Sequence, residues 1–132
     1  MPLKLTLKPD EKVLVGTAIL VNAGQKSEII IQNTVPVLRE KDIITEENAD
    51  THAKTIYYVI LNMYVDPSNE SEYHKTYFKL VDQLISAIPD KRVLAMVMSV
   101  SQKILEGNHY HALKECKKLI KFEAEVMANV TE

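Results

Sequence analysis

The chain has one cysteine, Cys116, three glycines and no tryptophan in 132 residues. A single thiol excludes an internal disulfide and suits a reducing compartment. Three scattered glycines are too few to cradle phosphates, and no P-loop, GxGxxG or GxSxG motif occurs. No stretch approaches the eighteen or so apolar residues of a membrane span. The opening MPLKLTLKPDEK interleaves lysines with leucines, unlike the apolar region of a signal peptide. A net charge of −2 gives no general attraction to nucleic acid or anionic lipid. Polyanion binding would therefore need a local basic patch.

What is present is an ordinary globular balance, 46% hydrophobic and 26% charged, in a length that makes one domain. The strongest signal is Thr51 to Asp66, THAKTIYYVILNMYVD, nearly unbroken apolar and aromatic from Ile56 to Val65 apart from Asn62. Its length favours a helix covered on all sides over a buried strand. Before it the chain reads as β-structure. LKLTLK at 3–8 alternates strictly, Val13–Val15 and Thr17–Val21 are split by Gly16 at a bend or bulge, and Glu28–Gln32 forms a fourth strand. Asn22-Ala23-Gly24-Gln25 reads as a hairpin with Gly24 at positive φ. PVLREKDII at 36–44 reads as an exposed connection whose charges satisfy one another, or as a contact surface through Arg39 and Lys41.

Beyond the central segment the spacing predicts helices throughout. Thr45, with Asn48 three residues on, opens a first turn, or Thr51 caps the buried helix directly, and Pro67 ends that helix. Ser68 is placed to cap the next helix, with Tyr73, Tyr77, Leu80, Val81, Leu84 and Ile88 inward. Asp90 caps a third, with Val93, Val97, Val100 and Ile104 inward, broadened by Leu94 and Leu105. Gly107 stops it, and Asn108 caps a fourth with Ala112, Leu113, Cys116, Leu119, Ile120 and Met127 inward. Residues 129–132 are expected to fray. The predicted class is α+β: an N-terminal antiparallel sheet or small sandwich (1–44), then a bundle of about four helices (45–132).

Candidate chemistry is sparse. His52, His74, His109 and His111 are the only imidazoles, and the last two diverge on a helix, so no metal site is expected. Cys116 falls on an inner arc, where a thiol is ordinarily a core group. Paired carboxylates for acid–base work are absent, so no catalytic residue and no cofactor are expected. Tyr57, Tyr58, Tyr64, Tyr73 and Tyr77 read as core, whereas Tyr110 flanks a basic arc and could stack on a base. That arc is Lys114, Lys117, Lys118 and Lys121, spaced i, i+3, i+4 and i+7. It is either the solvated face of an amphipathic helix or a phosphate grip.

Several of these segments resemble the FlbT family of flagellar regulators: MPLKLTLKP followed by EK, PVLREKDI at 36–43, Thr51-x-Ala53 leading into IYYVILNMY, and ILEGNHYHALKECKKLI at 104–120. The pattern departs from the family at His109, where a tyrosine is expected. The resemblance implies a cytoplasmic, non-enzymatic regulator that associates with the 5′ untranslated leader of flagellin mRNA and promotes its decay. In some lineages it would activate instead. It implies no catalytic residue, and it sets the chain alongside a second small regulator, FlaF, of opposing effect. Two readings follow. One is direct RNA contact through the lysine arc with Tyr110, Arg39 and Lys41. The other is a protein-binding module for flagellin or FlaF that acts on the message indirectly. An open edge at residues 3–8 could also pair two copies into a homo-oligomer.

Overall fold

The computed structural model describes residues 2–130. They divide into two compact units, the first ending at Ile43 and the second beginning at Ile44. The fold class is α+β, with all strands in the first unit and all four α-helices in the second.

The first unit holds five strands in two small antiparallel sheets. β1 (Leu3–Leu7) pairs with β4 (Ser27–Ile31), with Leu5 opposite Ile29. β2 (Lys12–Val15) lies between β3 (Ala18–Val21) and β5 (Val37–Arg39). Alternation puts Leu5, Leu7, Val13 and Val37 into one buried cluster, with Val15, Ile29, Ile31 and Val35 packed against it. Gly16 supplies the positive φ, +61°, of a two-residue turn that sets Val15 opposite Ala18.

Two expectations fail here. Residues 22–25 form no hairpin and Gly24 has no positive φ, because β4 pairs with β1 rather than β3. The Asn22 side chain makes the corner instead. Its amide donates to the carbonyls of Leu7, Lys8 and Gln25, and its Oδ1 accepts the Gly24 N–H at 3.1 Å. Residues 37–39, read as part of an exposed connection, are a fifth strand, and Asp42 in the following 3-10 turn is buried.

The second unit is four helices: α1 (His52–Val65), α2 (Glu70–Ala87), α3 (Lys91–Leu105) and α4 (His109–Val130). From Ala53 to Asp66 no residue is fully exposed, as the unbroken apolar run requires. α1 packs against both α2 and α4, and α3 packs on α4. Ile56, Ile60 and Met63 of α1 meet solvent hardly at all, and burying each is worth about 1.5–3 kcal/mol. Asn62, the polar interruption, donates to the Tyr58 carbonyl at 2.9 Å.

Local chemistry sets the helix ends. Thr51 caps α1 by accepting the Lys54 N–H, and Thr45 opens a separate turn before it by accepting the Asn48 N–H. Asp90 caps α3 by accepting the Arg92 N–H at 2.8 Å. Gly107 ends α3 at φ +76°, which lets the Asn108 N–H reach back to the Lys103 carbonyl. Ser68 does not cap α2. A 3-10 turn of Pro67–Asn69 intervenes, and Ser68, Asn69 and Tyr73 all donate to the Asp66 carboxylate. Leu94, Leu105 and Met127 are exposed rather than inward, because each falls at the margin of a stripe narrower than the sequence suggests. Phe122 and Glu123 take the interior of α4 instead. The helix continues through Asn129 and Val130, where fraying was expected; residues 131–132 lie outside the described residues.

Candidate functional site

The candidate surface is built on α4. Its buried side, Ala112, Leu113, Cys116, Leu119, Phe122 and Glu123, forces Lys114, Lys117, Lys118 and Lys121 to the opposite side of the same helix. Lys118 and Lys121 are exposed, and Lys114 and Lys117 are half-buried. The Lys114 ammonium lies 5.1 Å from the centre of the Tyr110 ring, a cation–π contact. Tyr110 is 37% exposed, tilted against Tyr64 and edge-on to His111. The surface therefore joins a partly open ring to a line of ammonium groups.

It is not uniformly positive. Lys118 pairs with Glu115 at 3.3 Å, one turn back, and Glu115 also accepts the Ser99 hydroxyl. An exposed i, i+3 pair of this kind is worth only a few tenths of a kcal/mol, so a phosphate could displace it. Arg39 and Lys41 belong to the first unit. The Arg39 guanidinium is engaged, donating to the Thr6 carbonyl at 3.1 Å and to Glu11 at 3.4 Å. The Lys8 N–H first, and then Arg39, hold the Glu11 carboxyl below its ordinary range. Lys41 is exposed.

The core groups have little reactivity. Burial pushes the Cys116 thiol well above its ordinary value, and its Sγ lies 3.7 Å from the Ala53 carbonyl. Burial likewise raises Tyr77 to about 12, although its hydroxyl shares a 2.6 Å hydrogen bond with Ser101.

Two groupings escaped sequence reasoning. Glu123, 4% exposed on α4, receives the Ala53 N–H at the start of α1. Glu70, His74 and His109 bring one donor atom each within 4.8 Å of one another. The i, i+4 spacing of Glu70 and His74 was visible in the sequence; the arrival of His109 beside them was not. An open groove of about 470 Å³ also lies along Thr51, His52, Leu80, Ile88, Glu123 and Met127.

The model of the family described as "Flagellar protein FlbT" matches residues 3–127. The chain belongs to the FlbT family. It is 39% identical over 124 residues to "Probable flagellum biosynthesis repressor protein FlbT 1" of Bradyrhizobium diazoefficiens, covering 93% of this chain and 83% of that relative. A Rhodopseudomonas palustris relative, "Probable flagellum biosynthesis repressor protein FlbT", is 37% identical over 97% of this chain and 99% of its own. The "Flagellum biosynthesis repressor protein FlbT" of Caulobacter vibrioides is 30% identical over 99% of this chain and 93% of its own. No solved structure matches the chain. Among the described residues no helix is long and apolar enough to cross a membrane. The FlbT match thus spans both units and includes the whole lysine arc.

Proposed function

We propose that the chain represses flagellum biosynthesis after transcription, by associating in the cytoplasm with the 5′ untranslated leader of flagellin mRNA and promoting its degradation. The repressor role rests on family membership and on the names its relatives carry. The observation that carries the RNA reading is the pairing of Tyr110 with the Lys114–Lys121 arc. A ring for stacking beside ammonium groups for phosphates is the combination that single-stranded RNA takes. No chemistry is asked of the chain, and decay of the message falls to a nuclease that the complex exposes it to.

A salt series on binding of purified chain to the flagellin leader tests this. Four phosphates neutralised on a single strand give a log–log slope of roughly −3, so a fourfold rise in salt weakens binding about 50-fold. Changing Lys114, Lys117, Lys118 and Lys121 to glutamate should abolish that slope. A shallow slope that the variant leaves untouched would remove the lysine arc from the function.

The groove beside Glu123 favours a second reading. Leu80, Ala87, Ile88 and Met127 line it, and an amphipathic helix could lay its apolar face there. On that reading the chain binds flagellin or FlaF and affects the message indirectly. Tight association with either protein, together with weak leader binding, would select it.

A further inference from the structure

We propose that Glu70, His74 and His109 form a three-ligand site for a divalent transition-metal ion, zinc(II) by the chemistry of its donors. Glu70 and His74 sit one turn apart in the opening of α2 and so project from the same side of that helix. His109 is the first residue of α4, carried there by the reversal at Gly107. Glu70 Oε1 lies 2.5 Å from His109 Nε2 and 3.8 Å from His74 Nε2.

The decisive observation concerns the imidazoles. Both Nε2 atoms are shielded from solvent, and neither has a hydrogen-bond partner. The Glu70–His109 approach is closer than an ordinary N–H···O bond, yet its direction is not that of one. A proton on His109 would answer only part of this, leaving the His74 nitrogen buried and unmatched. One cation held among the three donor atoms satisfies all of them.

The donor set narrows the ion. Two imidazoles and a carboxylate suit zinc and its first-row neighbours, whereas calcium and magnesium select oxygen. Tetrahedral zinc with bonds of about 2.0–2.1 Å wants donors roughly 3.3 Å apart. The two contacts, 2.5 and 3.8 Å, fall on either side of that spacing, so small side-chain rotations suffice. Three protein ligands leave a fourth position for water. Bound metal would fasten the start of α2 to the start of α4, two helices that each pack on α1. Cys116 takes no part, since it is fully buried elsewhere on α4.

The test uses the full chain stripped with a chelator and titrated with zinc(II) against a chromophoric competitor. One equivalent should bind. His74→Gln and His109→Gln should each weaken binding by more than about 100-fold, beyond the loss typical of an outer-shell partner. His111→Gln should change nothing. The unaltered chain loaded with cobalt(II) should show the strong visible bands of a low-coordinate site without a thiolate charge-transfer band, a readout independent of how the variants fold. At free zinc 100 times the dissociation constant, the melting temperature should rise by roughly 10 °C. Less than a tenth of an equivalent bound at micromolar zinc, binding that survives loss of both histidines, or sulfur ligation of the cobalt would each overturn the proposal.

Discussion

Replacing Glu123 with alanine should destabilise the chain by about 2 kcal/mol. Glu123 is 4% exposed, and both its carboxylate oxygens face the Ala53 N–H, at 3.3 and 3.2 Å. Ala53 is the second residue of α1, so its N–H is one of the donors that a helix start leaves without an internal partner. Thr51 already takes the Lys54 N–H, so Glu123 answers for a different donor. A hydrogen bond to a charged acceptor is worth roughly 1.5–3 kcal/mol, and a carboxylate at a partly buried helix start adds up to about 2. Relief of the buried charge offsets part of this, which brings the net to about 2 kcal/mol. For a chain of this size the melting temperature should fall by roughly 6–10 °C. Glu123→Gln keeps an acceptor and should lose about half as much. Urea unfolding followed by circular dichroism gives both values, and exchange of the Ala53 amide should quicken in the alanine variant. If Glu123→Ala stayed within about 0.5 kcal/mol of the parent, the carboxylate would not be capping α1.

Gly107→Ala should cost about 1–2 kcal/mol, since φ is +76° and an added Cβ would meet nothing within 4 Å. The penalty would be conformational alone, so equal unfolding midpoints in urea would show that the Gly107 turn adopts another geometry. Asp66 supplies a pH test. The hydrogen bonds from Asn69, Tyr73 and Ser68 hold its carboxyl below the ordinary range. Its stabilisation is therefore complete above the unfolded value of roughly 4 and is lost as pH falls through the folded one. Asp66→Asn should flatten the acid limb of a stability–pH curve, and, because the Asp66 carboxylate also holds the Tyr73 hydroxyl above its ordinary range, it should alter the alkaline limb as well. Superimposable acid limbs would remove Asp66 from the acid transition.

The residues themselves determined the fold class, because binary pattern and punctuation are local. Strict alternation at LKLTLK made a strand, and the unbroken run from Ile56 to Val65 made a helix with no open side. Thr51, Asp90 and Gly107 acted as caps and stops through bonds that reach only a few residues. The lysine arc was equally legible, since four positions on one helix need no knowledge of any other element. Strand pairing was not legible. Nothing near Asn22 states that β4 must pair with β1, and only the ladder contacts decide it. The same holds for Glu123, whose partner lies 70 residues away, and for His109 beside Glu70 and His74. An isolated Glu or His carries no record of the group it will face, because that depends on which helix faces pack together. Only the tertiary structure turned three unremarkable polar residues into one converging set of donors.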